Sequence, residues 1–274
     1  MIVLGENRYG KAENRIVRVD RDGDTHRLVD LNVSTALSGD MADTHLTGAN
    51  DKVLATDTQK NTVLAFARDG VGQIEAFGLR LARHFVHTQP AINQARVGIE
   101  QYPWTRMGAH SFSRSEAGTR LAVIHYDGEQ AQVSGGIKDL TVLSTTNSEF
   151  WGFPRDEYTT LPETKDRILA TAVTAKWRFT TTEVDWAKAY ETARDSLLDA
   201  FTNTYSYSLQ QTLYAMGERV LRAVPEIKEI RLSLPNKHHY LSDLTPFGLD
   251  NPGEVFQVGD RPYGLIQGTV VREP

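Results

Sequence analysis

The sequence has no cysteine. Disulfides, Cys-based zinc sites, iron–sulfur clusters and thiol nucleophiles are therefore excluded. Long apolar runs are also missing, with nothing near the ~18 residues that span a bilayer. Positive charge is scarce: 30 Lys and Arg stand against 35 Asp and Glu, for a net charge of −5. No Lys/Arg-rich run appears, so neither nucleic acid nor an anionic membrane is expected as a partner. Walker A, G-x-G-x-x-G and G-x-S-x-G signatures are absent. Nucleotide, dinucleotide and serine-hydrolase readings lose their usual support with them. The opening run Met1–Arg8 is too poor in apolar residues for a secretory signal. Val271-Arg272-Glu273-Pro274 is not a peroxisomal tripeptide of the Ser-Lys-Leu type. A cytoplasmic location is the expectation.

What is present is an ordinary globular composition, 40% hydrophobic and 24% charged over 274 residues. That is room for one large domain or two of usual size. Val29, Leu31, Val33, Thr35 and Leu37 alternate as a half-buried strand does, and Ile16–Val19 reads as a strand before them. Asp57–Arg68 reads as a short helix. Ile74, Phe77, Gly78, Leu81 and Phe85 have the spacing of an amphipathic one. Strands around 96–107 and over Thr119–Tyr126 complete the order ββααββ. Asp127-Gly128 signals a hairpin turn, and the order then repeats. Strands are expected over Gln130–Leu143 and Leu169–Glu183, helices along Trp186–Phe201 and Leu209–Val220, and strands over Ile227–Leu234 and Gly264–Arg272. A long insert, Ser144–Asp166, separates the first two strands of this second repeat. The repeats are placed at 1–128 and 129–274. Paired strands with helices gathered together predict an α+β fold, an antiparallel sheet carrying helices on one face. Its other, polar face is expected to meet another subunit or a solvent-filled channel.

The densest chemistry follows the strand Ile230-Arg231-Leu232-Ser233-Leu234. Pro235 has no N–H and is expected to end the ladder. Asn236 and His238 then face one side of the extended chain, Lys237 and His239 the other. One side thus offers an amide and a group able to exchange a proton near neutral pH. Thr56 with Gln59, and Ser208 with Gln211, have capping-box spacing. Each reads most plainly as a helix cap, and each also sets unsatisfied first-turn amides where an anion can bind. The second pair puts Leu209 and Gln210 in a first helical turn. Lys11 and Arg167, taken singly, read as surface residues. Phe150-Trp151-Gly152-Phe153 is either a packed lid or a stacking platform. His84 and His87 share a helical face, but no third ligand accompanies them, so no metal is assigned.

Several of these islands occur in one order in a known family. They are Tyr9-Gly10-Lys11, Thr56-Asp57-Thr58-Gln59-Lys60-Asn61-Thr62, Phe150-Trp151-Gly152-Phe153, Arg155-Asp156-Glu157-Tyr158-Thr159-Thr160-Leu161 and Asp166-Arg167-Ile168-Leu169. Leu209-Gln210 with Thr212, and Leu234-Pro235-Asn236-Lys237-His238, complete the set. In these the chain resembles the urate oxidase (uricase) family, over nearly its whole length. The stretch His87–Met107 matches poorly.

The resemblance implies the tunnelling fold (T-fold), with two ββααββ repeats per subunit. It implies a homotetramer whose active sites lie between subunits, with no metal and no organic cofactor. The implied reaction is the oxidation of urate by O2 to 5-hydroxyisourate and hydrogen peroxide, a step of purine degradation, with water as a further reactant. Lys11, Thr56 and His238 would be catalytic. Phe150 would stack on the purine plane. Arg167 and Gln210 would grip its two polar edges, and Leu209 would donate its backbone N–H. Thr56 and Asp57 of a neighbouring subunit would hold the opposite edge. Asn236 would sit above the ring, where oxygen and then water bind. An arginine fork suits a carbonyl and its adjacent ring nitrogen, and glutamine matches a lactam edge. Lys11 can accept a proton only as the neutral amine, a form that burial or a nearby cation favours. Two other readings stay open. One is another T-fold enzyme acting on a pterin. The other is a non-catalytic purine-binding protein, which would need Phe150, Arg167 and Gln210 but not the catalytic three together.

Overall fold

The structure, a computed structural model, describes residues 1–273. The first half runs β1 (Asn14–Asp20), β2 (Arg27–Gly39), a short α1 (Ala42–Leu46), α2 (Thr56–Arg68), α3 (Ile74–Thr88) and β3 (Ile92–Gln101). A hairpin, β4 (Trp104–Arg106) and β5 (Phe112–Arg114), precedes β6 (Thr119–Tyr126). The second half runs β7 (Ala131–Ser144), β8 (Leu169–Phe179), α4 (Trp186–Asn203), α5 (Leu209–Ala223), β9 (Ile227–Leu241) and β10 (Phe256–Val271). Strand order in the main sheet is β1-β2-β3-β6-β7-β8-β9-β10, with β4-β5 apart. With α1 and the β4–β5 hairpin set aside, the element order is ββααββ twice, as the α+β reading expects.

Some boundaries depart from expectation. β9 does not stop at Pro235. It runs on to Leu241, with Pro235 opposite Leu265 and Asn236 opposite Gly264. The ladder loses one donor there without losing register. Residues 260–263 of β10 bulge opposite Lys237, and the neighbourhood of a bulge is where a sheet admits proline. β3 ends at Gln101 rather than 107. Beyond it Trp104–Arg106 turns aside to pair with Phe112–Arg114. Buried Asp30 pins that hairpin, accepting from Trp104 Nε1 at 3.0 Å and Arg114 Nη1 at 3.3 Å. Such a long-range anchor leaves no periodic trace in sequence. β8 likewise stops at Phe179, short of Glu183.

The chain packs into two compact units. The first holds Met1–Ile137 with Lys176–Tyr190 and Glu226–Lys228; the second holds Lys138–Ala175, Glu191–Pro225 and the chain from Glu229 on. In the first, β1, β2, β3 and β6 are antiparallel neighbours. Leu31, Val33 and Leu37 of β2, Val97 and Ile99 of β3, and Ile124 of β6 are fully or almost fully buried. Ile74, Phe77, Leu81 and Phe85 of α3 are equally so, each worth about 1.5–3 kcal/mol of apolar burial. Glu75 in the first turn of α3 is buried against Arg120 of β6, 2.8 Å away. Burial lifts its carboxyl above the usual carboxylate range, against the pull of Arg120.

Both units bring a helix close to the sheet through a glycine. In the first, a Cβ on Gly78 of α3 would run into the tip of Ile124. In the second, a Cβ on Gly217 of α5 would sit 2.5 Å from Val270 Cγ2 and 2.9 Å from its Cβ on β10. No helix among the described residues is long and apolar enough to cross a membrane.

The two glycines differ in what a methyl group would meet. Alanine gains about 1 kcal/mol in helix propensity over glycine, and overpacking costs about 1–3 kcal/mol. The Ile124 tip can rotate away, whereas Val270 is branched at Cβ and stiff. Gly78→Ala is therefore expected to leave the thermal unfolding midpoint nearly unchanged, and Gly217→Ala to lower it by several degrees.

Candidate active site

In the first unit, Tyr9-Gly10-Lys11 lies along β2. Tyr9 N donates to Leu37 O at 3.1 Å, Leu37 N to Tyr9 O at 2.7 Å, and Thr35 N to Lys11 O at 2.9 Å. Any side chain at position 10 would collide with the Thr35 carbonyl and, at 2.8 Å, with Ala36 Cα. Both are backbone atoms and cannot swing aside, so glycine is required. Two residues on, Glu13 adopts φ +57°, and its N–H donates to Ser34 Oγ at 2.9 Å. The chain then rejoins β2 as β1, with Asn14 opposite Val33. Lys11 thus sits just before an irregularity of the kind that re-aims side chains near active sites.

A buried hydrogen-bond chain ties this segment to α2. Lys11 N donates to Thr35 Oγ1 at 3.4 Å, and Thr35 Oγ1 donates to Gln59 Oε1 at 2.8 Å. Gln59 Nε2 and Tyr9 Oη both donate to Leu54 O, at 3.5 and 2.9 Å. Gln59 is wholly buried and Thr35 almost so. The capping-box reading of Thr56 fails here. Ala55 is the N-cap, without a side-chain cap bond, and Gln59 commits its amide oxygen to Thr35 rather than to the N-cap amide. Thr56 is the first helical residue, so its hydroxyl is not consumed as a cap. The amides of Thr56, Asp57 and Thr58 precede the first intrahelical bond, Gln59 N to Ala55 O. Asp57 bonds Lys60 and, at 3.0 Å, Asn61. Lys60 chiefly, and Lys11 more weakly, hold its carboxyl below the usual range. Lys11, Thr56 and Asp57 therefore share one framework.

In the second unit the insert between β7 and β8 folds onto the start of α5. Ser206 N donates to Asn147 O at 2.9 Å, and Glu149 N to Ser206 O at 2.7 Å. Thr212 Oγ1 of α5 reaches buried Ser206 Oγ at 2.8 Å. Ser208 caps α5 as expected. Its hydroxyl accepts from Gln211 N at 3.2 Å, while Gln211 Oε1 accepts from Tyr207 N at 3.0 Å. Leu209 and Gln210 are left in the first turn with amides that have no intrahelical acceptor.

Phe150 exchanges two backbone bonds with Thr164, at 2.9 and 3.0 Å, and stacks on Phe153 with centroids 5.0 Å apart. The Arg167 guanidinium lies 5.2 Å from the Phe150 ring centre, and its Nε donates to fully buried Ser148 Oγ at 3.2 Å. Among the described residues it makes no ion pair, although Glu163 and Asp166 are near in sequence. Glu163 accepts from Gly152 N at 2.9 Å, and Asp166 from Thr146 Oγ1 at 2.9 Å. Burial alone lowers the Arg167 value below the usual guanidinium range. Phe150, Arg167, Leu209 and Gln210 are thus braced through the Ser148–Ser206 contact.

Asn236 and His238 are half-buried on β9, opposite Gly264 and Gly259. They share the face of buried Leu232 and Leu234. The His238 ring stacks on Tyr240 with centroids 5.8 Å apart, while His239 Nδ1 contacts Lys237 O at 3.0 Å. His84 and His87 do not form a pair. His84 packs on the edge of Phe66, and His87 Nε2 meets Tyr126 Oη at 2.8 Å.

The supporting residues Thr35, Gln59, Ser148 and Ser206 escape sequence reasoning. Gln59 carried a signal, but its spacing pointed to a cap rather than to the core.

The Uricase family model matches residues 7–125 and 133–267. The uricase of Arthrobacter globiformis is 53% identical over 99% of this chain and 91% of its own length. That of Dictyostelium discoideum is 39% identical over 99% and 98%. The crystal structure of the Arthrobacter globiformis enzyme superposes with a TM-score of 0.97, at 52% identity, covering all of this chain and 96% of that one. A urate oxidase structure from Bacillus sp. TB-90, at 24% identity and a TM-score of 0.84 over 98% of this chain and all of that one, shares the fold. The chain belongs to the uricase family.

Proposed function

We propose that the protein oxidises urate with O2 to 5-hydroxyisourate and hydrogen peroxide, as a cytoplasmic step of purine degradation, with neither metal nor organic cofactor. The observation that carries this reading is Arg167, a half-buried guanidinium beside an aromatic ring with no ion-pair partner among the described residues. A flat, anionic, carbonyl-rich ligand suits it, and urate at neutral pH is one. Phe150 stacks on the purine plane. Arg167 and Gln210 bind its polar edges, with the Leu209 N–H alongside. Thr56 and Asp57 of a neighbouring copy hold the opposite edge, where the α2 amides favour an anion. The assembly is a homotetramer in which these two half-sites meet between copies, each copy built of repeats 1–128 and 129–274.

Lys11, as the neutral amine, takes the second proton of urate, with Thr56 as the relay and His238 keeping the relay poised and water in place. Asn236 holds O2, and later water, above the ring. The electron-rich ring gives one electron to O2. The resulting radical pair joins at C5, forming a C–O bond. The outer oxygen of this adduct takes back the proton held on Lys11. The C–O bond then breaks, its electron pair leaving with the hydroperoxide, which gains the proton shed by the incoming water and departs as hydrogen peroxide. Water adds at C5 and loses a proton, giving 5-hydroxyisourate. Urate, O2 and water balance product and peroxide without another reductant.

Two experiments test this reading. Metal-stripped protein in air should consume urate and release one peroxide per urate. Lys11→Met should cut kcat about 10²–10⁴-fold with little change in urate affinity. Arg167→Ala should chiefly raise KM, by about 10- to 100-fold, the loss of a charged hydrogen bond. Urate binding without turnover would support a purine-binding role instead, and turnover of a pterin alone would support a different T-fold enzyme. The second experiment addresses the Thr35–Gln59 link. Thr35→Val should lower kcat about 10- to 100-fold at unchanged KM by letting Lys11 drift, while Thr35→Ser, which keeps the hydroxyl, should retain most activity. Equal activity of the Val and Ser variants would remove the link from the account.

A further inference from the structure

Two arginines and a histidine gather on the first unit's sheet, on the face turned away from its helices. Arg96 of β3 lies directly between Ala36 of β2 and His125 of β6. Leu37, Ala95, Val97, Ile124 and Tyr126, which alternate with them, are buried, so Arg96 and His125 take the opposite face. Arg8 joins them from the segment beside β2, since Tyr9 and not Arg8 shares the side of Lys11. All three line one cavity of about 350 Å³, together with Ser38, Gln94 and Gln132. A second cavity, of about 810 Å³, shares Arg8, Ser38 and Gln94 and has Glu6 in its lining.

No carboxylate among the described residues makes direct contact with these groups. Among the described residues, neither Arg8 nor Arg96 has a carboxylate within 4.0 Å, nor does His125. Asp127 also lines the first cavity, but its carboxylate accepts from the turn amides of Glu129 and Gln130, at 3.0 and 2.7 Å. Arg8 and Arg96 face one another across β2, with like charge and no carboxylate among the described residues in contact with either. Burial and then Arg8 hold Arg96 below the usual guanidinium range. Burial, then Arg96 and Arg8, hold His125 below the usual imidazole range.

We propose that Arg8, Arg96 and His125 form a binding site for a small oxyanion of the phosphate class, separate from the site that holds urate. Guanidinium forks bind such oxygens two at a time. The imidazole, the Ser38 hydroxyl and the glutamine amides supply further donors. A bound anion relieves the crowding that the free chain retains.

Inorganic phosphate is the probe, added to the full chain at constant ionic strength with chloride as the balancing salt. The expected result is a saturable rise in Tm, about 2–3 °C at tenfold excess over Kd, and one calorimetric site per chain. Arg96→Gln should abolish the rise. Without phosphate this variant should be at least as stable as the parent chain, and its urate turnover should be unchanged. A response no larger than that to chloride, or one that survives Arg96→Gln, overturns the proposal. So does a parent chain indifferent to phosphate whose Arg96→Gln variant loses its assembly state in sedimentation, because the cations would then face carboxylates of another copy.

Discussion

A missing side chain sets the frame around Lys11 and the start of α2. Tyr9–Lys11 can pair with β2 only because residue 10 has no Cβ to strike the Thr35 carbonyl. That pairing fixes where Lys11 leaves the backbone, and it brings Thr35 under α2. There the Thr35 hydroxyl meets Gln59 at 2.8 Å, and Gln59 in turn reaches the carbonyl of Leu54, just before the helix begins. Remove the pairing, and the start of α2 loses its tie to the lysine. The amide and hydroxyl are buried, where an unmatched polar group costs about 1–3 kcal/mol, so the arrangement is enforced rather than incidental.

The surroundings of Phe150 and Arg167 are braced differently. The ring, guanidinium and first-turn amides come from an irregular insert and a helix start, and two buried serines, 148 and 206, hold them together. The frame around Lys11 depends on strand pairing; this one depends on a capped helix and a loop pinned to it. In both, buried polar groups behind the proposed site residues are hydrogen-bonded to one another. Such backing separates a positioned site from a merely polar surface.

Much of the fold was legible because it is periodic. Alternation along Val29–Leu37 and the stripe Ile74–Phe85 mark β2 and α3 whatever lies around them. The Ser208–Gln211 cap was readable because a cap is local. What failed was either chemistry with two local solutions or structure made by distant residues. The spacing Thr56–Gln59 fits a capping box, yet Gln59 finds a better partner in Thr35 across the sheet. Pro235 ends most ladders, but here β10 bulges beside it and the strand continues. The β4–β5 hairpin hangs on Asp30, some 70 residues away in sequence. The proposed site residues rest on the resemblance, since Arg167 beside Glu163 and Asp166 looks paired in sequence until those carboxylates are seen to be engaged elsewhere.

Residue 11 is gripped by its own carbonyl and amide, not by its side chain. The strand therefore does not depend on which amine stands there. An analogue with a shorter arm, or with a fluorinated carbon beside its nitrogen, can be introduced at that position without loosening the backbone. The basicity and reach of the proposed base can then be varied one at a time.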